Sequence, residues 1–372
     1  MGKQVLITGG AGFIGSHLAD ALVGCGHAVR ILDNLSAQVH GQDAKRPAYL
    51  TPDAELIVGD VRDPDTVRRA LKGIDAVFHF AASVGIGQSM YEIASYTSVN
   101  SLGTAVLLEQ LAARPAERLV VASSMSIYGE GAYLSADGKL NMGLERTAAQ
   151  LKAGDWELRD GAGERLTPAA TPETKPPSLT SVYALSKYTQ ERLCLIAGSA
   201  YGIPTVALRF FNVYGPRQSL SNPYTGVLAI FAARYLNGKQ PVIYEDGEQR
   251  RDFVSVHDVV RMCMLALARP EAPGHVFNTG SGRPYSVLEI AARLGAVLGK
   301  RGIRPEITGK YRVGDIRHCY ADLSRARTLL GFNPRITLEE GLQELAVWLE
   351  GQIAQDRVAE ASAELHARGL TV

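Results

Sequence analysis

The feature that most constrains this chain is a glycine cluster after its first apolar run. "KQVLIT" ends in "GGAGFIG", and Phe13, Ile14, Leu18, Ala21, Leu22 and Cys25 then recur at helical spacing as far as Gly26. Strand, glycine turn and helix follow in that order. Gly9 allows the tight turn, Gly12 lets backbone N–H groups reach a pyrophosphate, and Gly15 lets the helix pack close to the sheet. Many turns are glycine-rich for steric reasons alone, so the context gives this one its weight.

The rest of the first half repeats the rhythm. "HAVRILD", "AELIVGD", "DAVFHFAA", "RLVVASS" and "PTVALRF" read as buried strands. Asp63-Pro64 opens a helix that uses Val67, Ala70 and Leu71, and another helix runs from about Tyr183 to Ala200. Steady alternation predicts an α/β fold, a Rossmann-type doubly wound parallel sheet. The expected division is a dinucleotide-binding domain over 1–214, carrying an inserted excursion at 131–177. A smaller mixed α/β substrate-binding domain follows over 215–350, with 252–268 crossing back to the first. Residues 351–372 read as a polar, amphipathic helical tail at the surface.

Composition narrows the function classes. Lys+Arg 39 against Asp+Glu 38 offers no general basic field for nucleic acid or an anionic membrane. Cys25, Cys194, Cys263 and Cys319 form no CxxC pair, so neither a metal site nor a disulfide framework is expected. The N-terminal apolar run breaks at glycines before a signal-peptide core, and no apolar run is long enough for a bilayer. A cytoplasmic location is the expectation.

Asp33 ends the second strand, where a carboxylate accepts hydrogen bonds from both adenosine ribose hydroxyls. It would repel a 2′-phosphate, and Asn34 supplies no cation, so NAD is favoured over NADP. Asp60-Val61 suits the adenine edge, and small Ala81 and Ala82 beside Phe80 let the cofactor approach. His79 is read as a core or turn residue. "YALSK" puts Tyr183 and Lys187 four apart on one helix face, where an ammonium beside a positive nicotinamide favours phenolate. That spacing is weak alone and gains from the glycine turn and the strand-end serine upstream.

Together with "GDVRD", "SSMSIYG", "LRFFNVYGPR", "RRDFVSVHDV" and "YRVGDIRHCYAD", these motifs resemble the extended short-chain dehydrogenase/reductases, in their nucleotide-sugar epimerase and dehydratase branch. The resemblance spans residues 1 to about 350 apart from the excursion. "VGIGQSMYEI" and the excursion are similar to dTDP-L-rhamnose 4-epimerase-like proteins. The resemblance implies Tyr183 as base and acid on a sugar hydroxyl, with Lys187 as its partner and nicotinamide-ribose ligand. Ser124 would hydrogen-bond the reacting oxygen. Asn100 and Phe211 would line the cofactor site with Phe13 and Ile14. Asn212, Arg251 and Arg312 would meet the substrate diphosphate and Asp315 the nucleoside ribose, while Arg250 is read as a solvated charge. A homodimer formed through the helix after Asn100 and the Tyr183 helix is also implied.

The sugar 4,6-dehydratases of this branch carry an Asp-Glu pair just after the residue equivalent to Ser124, and here Met125 and Ser126 stand there. A thioether transfers no proton and an alcohol is a poor acid or base near neutral pH. Reversible oxidation at C4 through a 4-keto sugar, inverting that centre, is therefore expected. The narrower resemblance implies dTDP-L-rhamnose or another 6-deoxy sugar as substrate, while the residues leave thymine and uracil open as the base. A UDP-glucuronate decarboxylase, a 4-ketoreductase and a 2-epimerase remain rivals on the same fold. A non-catalytic, NAD-sensing binding protein is the rival of another class, opposed by the survival of serine, tyrosine and lysine together.

Overall fold

The computed structural model describes residues 2–42, 45–352 and 354–371. Its main sheet has seven strands: β1 (Gln4–Thr8), β2 (Ala28–Asp33), β3 (Glu55–Val58), β4 (Ala76–His79), β5 (Arg118–Ser124), β6 (Thr205–Phe210) and β7 (Val276–Thr279). They lie in the order β7-β6-β5-β4-β1-β2-β3, and every neighbouring pair is parallel. Strand order reverses between β1 and β4, which opens a ligand crevice at their carboxyl ends. The continuous apolar runs are explained by helices covering both sheet faces.

Helix α1 (Phe13–Gly24) leaves the glycine turn, and α2 (Gly103–Ala113) follows a π-helical stretch, Thr97–Leu102. Helix α3 (Val182–Tyr201) is capped by the Ser181 hydroxyl, which accepts from the Ala184 N–H, and stops at left-handed Gly202. Helix α4 (Val256–Ala268) places Val259, Met262, Cys263 and Ala266 in one core with Leu18, Leu22 and Val120. Helix α4 therefore packs on the main sheet, and the chain then continues into β7, a strand absent from the sequence-based expectation. With only Val276 and Phe277 apolar before Asn278, β7 gave too weak an apolar run to register.

The second sheet is mixed. Its strand Arg250–Ser255 runs parallel to Asn212–Tyr214 and His318–Cys319, and antiparallel to Pro284–Ser286. Helices Val227–Leu236, Val287–Val297 and Leu338–Leu349 enclose a core of Leu228, Phe231, Ile290, Leu294, Leu342 and Leu345.

The excursion has more order than its composition suggested. Strand Ala132–Leu134 pairs antiparallel with both Leu140–Asn141 and Thr167–Ala169 over buried Tyr133, Leu158 and Leu166. Its one helix, Ala148–Lys152, starts at a Thr147 cap. In the tail, helix Val358–Ala367 buries Ala361 and Leu365, Arg368 lies 4.4 Å over the Tyr91 ring, and the Val313 N–H donates to the Leu370 carbonyl. No described helix is long and apolar enough to cross a membrane.

Candidate active site

The crevice is a cavity of about 610 Å³. Gly9, Gly12, Phe13, Ile14, Gly15, Asp33, Asn34, Asp60, Val61, Phe80, Ala81 and Ala82 line one part of it. Ser124, Tyr183, Lys187, Phe211 and Asn212 line another part, so the strand ends and helix starts bring these expected residues together.

The glycine turn fits a dinucleotide. Gly9 has φ +70°, and a Cβ there would sit 2.7 Å from the Ala81 nitrogen; at Gly15 it would meet Gly10 Cα at 2.6 Å. At Gly12 the nearest protein atom would be 3.4 Å away, so protein packing alone does not demand glycine there. The Gly12 end of α1 carries no side-chain cap and no acid in its first turn, which leaves N–H groups for a diphosphate. Asp33 accepts from the Ala11 and Leu35 N–H groups at 3.0 and 2.9 Å, which fixes its carboxylate at the end of β2. Asp60 is bound by Arg62 and by Asn34, and the Arg62 hydrogen bond holds its carboxyl down at about 2.

Ser124 ends β5. Its Oγ accepts from the Ser126 N–H at 3.2 Å and the Ser126 hydroxyl at 2.9 Å. Tyr183 lies in the first turn of α3, its N–H bound to the Ser89 hydroxyl at 3.0 Å and its ring edge-on to Tyr96 at 6.4 Å. Burial raises the Tyr183 phenol pKa, and the Ser124 hydroxyl opposes that rise. The Lys187 ammonium donates to Gln190 Oε1 at 2.5 Å, and burial lowers its pKa to about 8 against the charge of Glu191. The expected downward pull of Lys187 on Tyr183 is therefore not a property of the protein alone.

Asn100 is fully buried. It does not line the cavity, because its side chain is used up behind the wall. It accepts from the Ser83 N–H at 2.7 Å and donates to the Ser83 carbonyl at 3.1 Å and the Ser186 hydroxyl at 2.9 Å. His79 is the core residue expected: its ring bonds the Thr8 and Thr104 hydroxyls at 2.8 Å each, and burial lowers its pKa to about 3.

Arg251, Arg312 and Asp315 lie outside this cavity, in the second domain, paired with one another. Asp315 binds Arg312 at 2.8 Å and Arg251 at 3.3 Å. Burial would raise the Asp315 carboxyl, but the two guanidiniums hold it at about 2. Arg312 also lies 4.7 Å over the Tyr244 ring. A diphosphate would take over partners that these residues now give each other. Arg250 is exposed, as expected of a solvated charge.

Two arrangements escaped the sequence reading. Gln88, Glu92 and Tyr96 line the cavity, with Gln88 accepting from the Tyr96 hydroxyl at 3.1 Å and donating to Glu92 at 3.1 Å. All but Tyr96 lie in "VGIGQSMYEI", a stretch whose spacing alone assigns them no role. Glu191, four residues after Lys187 on the same face, accepts from the Ser123 hydroxyl at 2.6 Å and from Arg209 at 2.7 and 2.9 Å. That spacing was the available signal. The cluster ties α3 to β5 and β6, the elements that carry Tyr183 and Ser124.

Known proteins share this layout. dTDP-L-rhamnose 4-epimerase of Burkholderia thailandensis is 37% identical over 95% of this chain and 96% of its own. UDP-N-acetyl-alpha-D-glucosaminuronate decarboxylase of Bacillus cytotoxicus is 29% identical over 94% of this chain and 98% of its own. The crystal structure of Thermus thermophilus UDP-glucose 4-epimerase in complex with NAD superposes with TM-score 0.75 at 30% identity, covering 94% of this chain and 100% of that one. The signature of the NAD dependent epimerase/dehydratase family matches residues 5–146 and 161–280, and the chain belongs to that family of enzymes.

Proposed function

We propose that the protein is a cytoplasmic nucleoside-diphosphate-sugar 4-epimerase that inverts C4 through a transient 4-keto sugar, with dTDP-L-rhamnose or another 6-deoxy sugar as substrate. The observation that carries this reading is the corner after Ser124. Met125 and Ser126 are buried there, and the Ser126 hydroxyl is committed to Ser124. That corner can orient an alcohol and cannot supply the acid–base pair of a dehydration.

Gly9, Gly12, Gly15, Asp33 and Asp60 would hold NAD, which supplies the site with a reversible hydride acceptor for C4. Tyr183 takes the C4 hydroxyl proton and later returns it. Ser124 donates to the same oxygen, and Lys187 keeps positive charge near the phenol. Asn212, Arg251 and Arg312 hold the diphosphate while the keto sugar turns, and Asp315 holds the ribose. Buried side-chain oxygens of Asn212 and Gln218 without a partner give the cavity unmet hydrogen-bonding capacity for such a ligand.

A decarboxylase would begin with the same C4 oxidation, and the similarity to one supports it as second reading. Its substrate carboxylate needs a cation. Among the described lining residues, Arg62 is paired to Asp60 and Lys187 is engaged with Gln190, which favours epimerisation. A homodimer is supported by Leu102 and by Leu185 and Ile196 on one face of α3, all more than half exposed.

The test is to incubate the purified protein with dTDP-L-rhamnose, UDP-glucose and UDP-glucuronate without added cofactor and follow the sugars by NMR. C4 inversion of one of them is expected. Release of CO2, or consumption of external NADH with no inversion, would overturn the reading.

A further inference from the structure

The inserted segment contributes nothing to the wall of the cavity that holds Tyr183. Its Arg146 instead points into the protein, with a side chain only 3% exposed. The guanidinium donates to three places at once: Glu130 at 3.0 Å, Glu245 at 2.7 Å and the backbone carbonyl of Asp315 at 3.1 Å. Glu130 follows β5 and also receives the Arg317 and His318 N–H groups, at 2.9 and 3.2 Å. Glu245 belongs to the second domain and receives Arg317 at 2.9 Å. One buried cation thus joins the first domain, the second domain and the backbone of the turn that carries Arg312 and Asp315.

We propose that Arg146 is a positioning residue of the nucleotide site, holding the Asp315 turn so that Arg251, Arg312 and Asp315 meet the nucleoside diphosphate already in place. This rests on reading those three residues as the nucleotide contacts. A planar fork with five donors suits the task, because the three acceptors come from separate parts of the chain. A merely stabilising role would lower the melting temperature and leave nucleotide affinity intact well below it.

The test uses the full chain loaded with NAD, comparing wild type with Arg146→Met, Arg146→Lys and Arg312→Ala. Dissociation constants of dTDP and UDP are measured by calorimetry well below each melting temperature, alongside kcat, KM and retained NAD. Arg146→Met is expected to weaken nucleotide binding about tenfold, as losing one charge-assisted bond does. KM rises with it, kcat changes less, and NAD content is unchanged. Arg146→Lys keeps the charge without the fork and gives a smaller loss in the same direction; if the Met variant does not fold, this variant decides. A folded Arg146 variant with wild-type nucleotide affinity overturns the proposal. Arg312→Ala separates the two readings: if it alone weakens binding, positioning by Arg146 fails and the nucleotide site stands. If it leaves binding unchanged, the site reading fails and the proposal falls with it.

Discussion

Ser126 donates twice to Ser124, through its N–H at 3.2 Å and its hydroxyl at 2.9 Å. Both acceptor positions of the Ser124 oxygen are thereby filled, and its own hydrogen is left for the Tyr183 side, where the phenol and a substrate oxygen would meet it. Ser126→Ala removes one of those donors and keeps the backbone one. It is expected to lower kcat about fivefold, the value of one hydrogen bond, with KM nearly unchanged. Ser124→Ala should cost more. Equal kcat for Ser126→Ala and wild type in steady-state assays would remove Ser126 from the mechanism.

Lys187 loses its proton near pH 8, because burial outweighs the charge of Glu191. Its ammonium is present below that pH and lost as pH rises through it. A bound nicotinamide adds positive charge and shifts the loss in the same downward direction. The rate profile should therefore fall on a basic limb at or below about pH 8, and Lys187→Met should lack that limb at a much lower rate. A wild-type kcat that climbs steadily to pH 9.5 would contradict this.

Glu191 is buried and receives Arg209 through two bonds and Ser123 through one. Glu191→Gln leaves the guanidinium without a counter-charge. A loss of about 3 kcal/mol in urea unfolding is expected, together with a lower kcat as α3 and β5 lose their tie. Unfolding midpoints within error of wild type would show the pair to be dispensable.

If Asp33 holds the adenosine ribose as proposed, a 2′-phosphate would meet its carboxylate. Asp33→Ser is expected to reduce the NAD retained through purification and to raise acceptance of NADP, both read by chromatography of extracted dinucleotide. Unchanged retention and unchanged exclusion of NADP would place the ribose elsewhere.

The strand–turn–helix start and the Tyr183 helix were legible because each rests on short-range rules. Observed bounds of Val182–Tyr201 match an expected Tyr183–Ala200, since Ser181 and Gly202 mark the ends in sequence. β7 and the strands of the excursion were not legible. Unlike the equally short β3 and β4 they lack a sustained apolar run, since Val276 and Phe277 give way to Asn278 and Leu140 to Asn141, and pairing with neighbouring strands holds them in place.

The same division runs through the site. Glycines at 9 and 15, the carboxylate at 33 and the four-residue step from Tyr183 to Lys187 follow from the sequence, because backbone sterics and helix pitch fix them locally. Only the tertiary structure decided that Ser126 serves Ser124, that Asn100 stands behind the wall, and that Arg146 reaches Asp315. Those relations depend on which strands lie side by side and how deeply each polar group is buried. A buried donor or acceptor takes whatever partner the packing brings within about 3 Å, and no spacing along the chain records that choice.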